Sequence, residues 1–306
     1  MNAPEVSIVM RSFNEAWALQ DTLAMLRRQV GPSCELIVID SGSTDGSVEM
    51  IRDFNPAHFV RIASSDYVPG RVLNQGMRLA RANTVLFLNA DATPANEHWL
   101  HPLARTLESP NVAAVFGRQI PRPDCRAVFA SDYDRCFGAN RESAKWDHFF
   151  SMVSSGLRKD IWSRRGFLEH LQYAEDDEYT RWAKANGYDV VYCPDSVAIH
   201  SHNYTAEQAY RRAFGDAKAL AASWPGSDTD FNWLKTVAVG WVNDFRHDLK
   251  FCFKNRRLRE LGHAATIRWN QRHGRLDGFR TGWKTYRAAE PVPNAIPASA
   301  TTPRAA

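Results

Sequence analysis

This sequence predicts an α/β fold: a Rossmann-like, mostly parallel sheet flanked by helices, with a C-terminal helical extension. Three observations predict it. The strand candidates, such as "VSIVM" and "TVLFLNAD", are continuous apolar runs, whereas a half-exposed sheet would alternate. Stretches of helical periodicity separate them, as right-handed crossovers between parallel strands require. Polar residues gather at the carboxyl ends of the apolar runs, where open α/β sheets bind ligands.

The elements follow in order. "VSIVM" reads as a buried strand, and "EAWALQDTLAMLRRQV" as a helix with Trp17, Leu19, Leu23, Leu26 and Val30 near one face. "ELIVID" is a second strand and "GSVEMIRDF" a short helix; "HFVRIA" is a third strand and "GRVLNQGMRLARA" a helix. "TVLFLNAD" is the fourth strand, after which Thr93-Pro94 starts a helix that continues in "NEHWLHPLARTLE". "VAAVFGRQ" is the fifth strand. Residues 121–174 are less regular, with a loop and helix in "PRPDCRAVFASDYDRCFG". A helix near 175–186, a strand pair in "DVVYCPDSVAIH" and a helix from Thr205 come next; Thr205 and Gln208 have capping-box spacing. "WLKTVAVGWVNDFRHDL" is an amphipathic helix whose apolar face carries Leu234, Val237, Ala238, Trp241, Phe245 and Leu249. The expected domains are 1–215, a basic helical extension over 216–290, and a disordered Pro/Ala/Thr-rich tail over 291–306.

Composition narrows the function classes. The 306 residues are 44% hydrophobic and 24% charged, ordinary for a globular protein. No apolar run is long enough to span a membrane, and the N-terminus lacks the pattern of a signal peptide, so a cytoplasmic protein is expected. The five scattered cysteines form no C-x-x-C pair, which points to a reducing compartment and away from a zinc knuckle. The net charge of +4 is uneven: Arg246 to Arg287 holds twelve Lys or Arg against three acids, +9 locally and −5 elsewhere. No nucleic-acid motif accompanies this basic segment, and a nucleic-acid partner is not expected.

Four stretches carry candidate chemistry. In "IVIDSGSTDGS", Asp40 ends a strand, Ser41 and Gly42 begin a small-residue turn that lets backbone approach a ligand, and Asp45 or Ser47 can cap the next helix. The spacing is not G-x-G-x-x-G, so no dinucleotide fingerprint is present. In "NADATP", Asp91 stands at the tip of a buried strand, either as a turn carboxylate or as a hard oxygen ligand for Mg²⁺ or Mn²⁺. In "YAEDDEYTRW", Glu175, Asp176, Asp177 and Glu178 crowd one helix start, where the helix dipole favours acids. Mutual repulsion and burial could raise one of them into the range of a general base, and Arg181 is one turn away to pair with another. In "SVAIHSHNYT", His200 and His202 share a face of a strand, either as satisfied imidazoles or as ligands completing a metal site with Asp91.

In this order the stretches resemble glycosyltransferase family 2, with the GT-A fold, over roughly residues 5–210. "SIVMRSFNEAWAL" resembles the family's first strand and its N-x-x-E-type start, which includes Arg11, Asn14 and Glu15. "VIDSGSTDGS" is similar to its nucleotide-binding segment, "NADA" to its D-x-D motif and "EDDEYTRW" to its E-D motif. "GRQIPRP" and "YCPDSVAIHSHNYT" resemble the rhamnosyltransferase-like branch. The resemblance implies that Glu15 and Asp40 hold the base and ribose of a nucleoside diphosphate sugar, among substrate contacts that include Arg11, Asn14, Ser41, Gly42, Asp45, Asn89, Glu175 and Arg181. It implies that Asp91 binds a divalent metal at the diphosphate, with His200, or else His202, as a further ligand, and that Asp176 is the general base. Asn89 departs from the pattern, standing where the first acid of D-x-D belongs.

The implied reaction is inverting transfer in one displacement, with no covalent enzyme intermediate. The implied donor is dTDP-β-L-rhamnose, with a UDP-hexose as the alternative; the acceptor is a glycan, on a lipid carrier or free. The basic, Trp-bearing segment either meets an anionic membrane surface at the inner face or packs as a helical appendage or homodimer contact. An inactive sugar-nucleotide-binding relative is the competing reading. A nucleotidyltransferase would need a basic Gly-rich loop after the first strand, and "RSFNEAWA" is not one.

Overall fold

The computed structural model describes residues 3–223 and 232–288; the tail expected over 291–306 lies outside the described residues. The chain opens with β1 (Val6–Ser12), α1 (Ala16–Arg27), β2 (Cys34–Asp40), α2 (Ser47–Phe54), β3 (His58–Arg61), α3 (Pro69–Leu79) and β4 (Thr84–Asn89). It continues through β5 (Thr93–Pro94), α4 (Leu100–Thr106), β6 (Val112–Ile120), α5 (Ala127–Phe137), β7 (Ser154–Arg158), α6 (Lys159–Trp162), α7 (Glu175–Ala185) and β8 (Asp189–Ile199). Helices α8 (Ala206–Ser223), α9 (Gly240–Lys254) and α10 (Leu261–Ala288) follow, with a wide π turn over Leu234–Val239 leading into α9.

The chain divides into two compact units. The first comprises Met1–Arg122, Cys136–Leu171 and Glu175–His200; the second comprises Pro123–Arg135, Gln172–Ala174 and the chain from Ser201. In the first unit the described strands form one sheet in the order β3-β2-β1-β4-β7-β6-β8-β5. β3, β2, β1 and β4 are parallel neighbours, as their continuous apolar runs predict. β7 runs antiparallel between β4 and β6, β8 is parallel to β6, and β5 is antiparallel to β8. The sheet is therefore mixed, though mostly parallel. Register aligns the carboxyl ends of three strands: Arg11 lies opposite Asn89, and Ser12 opposite Asp40.

Four local expectations are corrected. Thr93-Pro94 does not start a helix; it forms β5, and α4 begins at Leu100. "DVVYCPDSVAIH" is one strand, not a pair; its register against β6 jumps from Cys193 to Val197, so Pro194, which has no N–H to donate, falls in a bulge. On α1, Leu19, Leu23 and Leu26 are buried, but Trp17 and Val30 are exposed. Trp17 instead carries the Arg122 guanidinium 4.6 Å above its ring.

The fourth correction concerns α9. Its buried side holds Gly240, Asp244, Asp248 and Cys252, while Leu234 and Leu249, expected in the core, are 61% and 44% exposed. The cause lies on α10. Arg268 binds Asp248 through two nitrogens at 2.8 Å and also reaches Asp132, and Arg272 Nε donates to Asp244 at 2.7 Å. Paired in this way, two aspartates are tolerated inside the second unit. Close helix contact there rests on small residues at every fourth position: a Cβ at Gly274, Gly278 or Gly282 would lie within 2.3 Å of a carbonyl oxygen of α8. The expected capping box starts α8: Thr205 Oγ accepts from the Gln208 N–H at 3.2 Å, and Gln208 Oε1 accepts from the Thr205 N–H at 2.9 Å.

Candidate active site

The site residues of the first unit mount on the aligned strand ends. Asp40, fully buried, accepts the N–H groups of Gly42 at 3.1 Å and Ser43 at 3.0 Å, and Arg61 Nε lies 3.6 Å away. The Ser43 hydroxyl donates to its other oxygen. Gly42 supports this tight turn with φ at 91°. The buried Ser41 donates its N–H to the Ser12 carbonyl at 2.9 Å, pinning two strand ends together.

Asn14 and Asp45 staple the two loops that follow β1 and β2. Asn14, at φ 55°, accepts the Thr44 N–H at 2.8 Å and donates its own N–H to Ser43 Oγ at 2.8 Å. Asp45 accepts the Ser47 N–H at 3.1 Å and the Ala16 N–H at 2.9 Å, so one carboxylate serves the starts of α1 and α2. Burial works to raise the Asp45 carboxyl, but the Ser47 hydroxyl and these backbone N–H groups together outweigh it and hold it below its usual range.

The tip of β4 carries Asn89 and Asp91. Asp91 is buried, with Oδ2 3.4 Å from His200 Nε2. His200 Nδ1 meets Gln119 Oε1 at 3.0 Å, while Gln119 Nε2 donates to Ser151 Oγ at 2.8 Å. With Gln119 so oriented, Nδ1 carries the proton of the donor tautomer, and the Nε2 lone pair faces the Asp91 carboxylate. Two buried acceptors facing each other suit a cation held by both. Burial, then the neighbouring Asp91 carboxylate, push Glu15 up to about 9. A carboxylate and an imidazole are donors that fit Mg²⁺ or Mn²⁺. His202 belongs to the second unit, where its ring stacks on Tyr204 with centroids 5.2 Å apart.

Arg11 joins the strand tips to the acidic helix. Its Nη2 donates to Asn89 Oδ1 at 3.1 Å, and its Nη1 lies 3.5 Å from both Glu175 Oε1 and the Tyr67 hydroxyl. Burial works against the guanidinium charge, but Tyr67, Glu175 and Asp176 outweigh it and raise its pKa. The four acids at the start of α7 meet four different fates. Glu175 faces Arg11; burial and the Asp176 charge push it up to about 7, with Arg11 holding it back. Asp176 Oδ2 accepts the Met152 N–H at 3.2 Å, and burial raises its carboxyl too. Asp177 accepts from Arg181 Nε at 2.8 Å, the pairing that the helical spacing predicts. Glu178 is paired with Arg165. The chain enters α7 through Ala174 at φ 61°, a left-handed conformation disfavoured for a residue with a Cβ.

Contacts therefore link His200 to Asp91, and Asn89 through Arg11 to Glu175. Sequence reasoning missed several neighbours: Gln119 behind His200, Tyr67 beside Arg11, and Arg122, whose Nη2 donates to the Asp91 carbonyl at 2.5 Å. Gln119 and Arg122 lie in "GRQIPRP", a segment quoted for its resemblance and given no role. No local signal marks Tyr67.

Three comparisons bear on this arrangement. A model of the family described as "Glycosyl transferase family 2" matches residues 7–166. The chain is 28% identical over 263 residues to the O-antigen chain rhamnosyltransferase RfbN of Salmonella typhimurium, covering 82% of each. It is 27% identical over 205 residues to the glycosyltransferase AglE of Haloferax volcanii, covering 64% of this chain and 67% of that one. Among solved structures, the mannosyltransferase PcManGT of Pyrobaculum calidifontis, in complex with GDP-Man and Mn²⁺, matches 96% of this chain and 78% of its own, with a TM-score of 0.55 at 19% identity. S. aureus TarS 1–349 with UDP-GlcNAc matches 93% and 92%, with a TM-score of 0.53 at 16% identity. These structural likenesses show a GT-A-like fold.

Proposed function

This chain belongs to glycosyl transferase family 2, and from that premise we propose that it transfers L-rhamnose from dTDP-rhamnose to a hydroxyl of a glycan or lipid-linked glycan, with inversion. The observation that carries the reading is the Arg11 bridge, which brings the β4 tip and the Glu175–Asp176 pair into one network. The rhamnosyl donor is supported by the O-antigen chain rhamnosyltransferases RfbN and WbaN, each matched over 82% of its length; a UDP-hexose donor is the alternative.

Asp40, with the N–H groups it organises, and Glu15 receive the nucleoside. Asp91 and His200, with His202 as the fallback for His200, would hold a divalent cation, which would supply positive charge at the diphosphate as the leaving group departs. Asp176 accepts the proton of the acceptor hydroxyl, and its raised pKa makes it a stronger base than an exposed aspartate. Both of its oxygens are held by backbone N–H groups, Oδ2 by Met152 at 3.2 Å and Oδ1 by Asp177 at 2.9 Å, which fixes the carboxylate plane. The acceptor attacks from the face opposite the diphosphate, so the anomeric configuration inverts in one displacement. The enzyme acts at the inner face of the membrane. Among the described residues no helix is long and apolar enough to cross one.

The test is transfer and donor hydrolysis measured over a panel of dTDP- and UDP-sugars, with and without Mn²⁺. Asp176→Asn is expected to bind donor normally and lose about 10²–10⁴-fold in turnover. Normal turnover in that variant sinks the base assignment. Donor binding with neither transfer nor hydrolysis in wild type would instead favour a sugar-nucleotide-binding relative, the reading that the Asn89 departure suggests.

A further inference from the structure

The second unit sorts its charges. From Asn232 to Arg256 the acids are Asp244 and Asp248, and both are buried against α10 and paired with arginines. On the opposite side of α9, Arg246, Lys250 and Lys254 are all exposed, and no described acid pairs with them. Among these cations runs an apolar stripe, Val239, Val242, Leu249 and Phe253, which at i, i+3, i+10 and i+14 share one side of a helix. Phe253 is 74% exposed, and Val239 and Val242 are 49% and 47% exposed. A helix that turns its acids inward and presents apolar side chains beside a row of cations is an interfacial amphipathic helix in its physical make-up. The composition of the segment alone could not separate this from a packed appendage, because it counts Asp248 as a solvated charge.

We propose that this side of α9 docks on an anionic lipid bilayer, with Val239, Val242, Leu249 and Phe253 entering the acyl boundary and Arg246, Lys250 and Lys254 meeting the lipid phosphates. Charge complementarity selects the bilayer. A second copy of the chain would bring the same three cations against themselves, a like-charge juxtaposition that opposes a two-fold contact. A nucleic acid would satisfy the cations and leave the central stripe in water. The docking does not depend on the transfer reaction, so either can fail while the other stands.

The experiment is co-sedimentation of the full chain with vesicles of pure phosphatidylcholine and with vesicles carrying about 30% phosphatidylglycerol. Two variants are compared with wild type, Leu249→Gln/Phe253→Gln and Arg246→Gln/Lys250→Gln/Lys254→Gln. Circular dichroism melts confirm that each is folded, and because all five side chains are exposed, either variant suffices if the other misfolds. Wild type is expected to bind the anionic vesicles and to release with salt. At about fivefold per cation, the triple variant is expected to bind on the order of 100-fold more weakly. The double variant is expected to lose binding to the anionic vesicles. Absence of wild-type binding to anionic vesicles overturns the proposal, as does unchanged binding by the folded variants. A wild-type dimer that the stripe substitutions dissociate, or equally tight binding to a nucleic acid, assigns the surface to a different partner and overturns it too.

Discussion

Replacing Arg11 by Gln is expected to move the acidic limb of the transfer reaction's pH profile upward. Arg11 Nη1 stands 3.5 Å from Glu175 Oε1, and both side chains are largely buried. At an effective dielectric of about 20, that separation corresponds to roughly 5 kcal/mol of attraction, an upper bound of about 3.5 pK units. Relaxation and water reduce such effects, and a carboxylate beside an arginine is ordinarily depressed by about 1–3 units. Glu175 already stands at about 7 with Arg11 in place. Without the guanidinium it should titrate between about 8 and 10. Glu175 and Asp176 titrate as a pair, and a proton on the pair withdraws the base proposed to receive the acceptor's proton. Both carboxyls are raised, so active base accumulates as pH rises, and the variant needs a higher pH to form it. At neutral pH, kcat/KM is expected to fall by about 10–10³-fold and to recover as the pH increases. Gln retains an amide donor for Asn89 Oδ1, the other partner of Arg11. Arg11→Lys, which keeps the charge, should keep the wild-type limb. The assay is kcat/KM against pH for the three proteins. A loss in Arg11→Gln that is the same at every pH refutes the reasoning, because it would make Arg11 a ligand contact with no hold on the carboxyl pair.

Ligand-free stability should fall as pH rises from about 4.5 through about 7, because Glu175 holds its proton more tightly folded than unfolded. The contribution is on the order of 3 kcal/mol, and Glu175→Gln should flatten this part of a denaturant-midpoint-against-pH curve. Arg268→Leu strands the fully buried Asp248 carboxylate and should cost about 3–5 kcal/mol in urea unfolding. Adding Asp248→Leu to that variant should restore much of the loss, since an apolar pair leaves no buried charge. Gly278→Leu places a Cβ 2.3 Å from the Phe214 carbonyl oxygen. It should destabilise by at least about 1–3 kcal/mol, read from the same unfolding midpoints.

Hydropathy made much of the first unit legible because β1, β2 and β4 are covered on both faces, and a strand so placed has to be apolar throughout. It failed on β7 for an equally physical reason. Ser154 and Ser155 are fully buried, and a Cβ on Gly156 would come within 2.6 Å of Leu86 and 2.8 Å of Leu107. A strand wedged beneath large neighbours must be small, and small residues read as a loop. Ser154 is also satisfied at a distance, by the Trp99 indole N–H at 2.8 Å. The α9 face was misread because hydropathy treats an aspartate as solvated whatever stands opposite. The partner of Asp248 is Arg268, on the next long helix, and no local pattern reports that pairing. Short-range chemistry fared better: the Thr205–Gln208 box and the Arg181–Asp177 pair depend only on helical spacing, which the sequence contains.

Asn89 shows what this difference means for the site. In the sequence it stands as a charge missing from an acidic motif. In the structure its oxygen accepts a hydrogen bond from Arg11, the same guanidinium that restrains Glu175. An aspartate at this position would sit about as close to that cation as Asn89 does and would draw on the charge that otherwise acts on the Glu175–Asp176 pair. The neutral amide keeps the hydrogen bond and leaves the Arg11 charge directed at the acids of α7. A substitution that weakens one end of the site electrostatically thus strengthens the hold on the other end. The pH profile of Arg11→Gln reads that division directly: the size of its upward displacement measures how much of the guanidinium's charge Asn89 has left to Glu175.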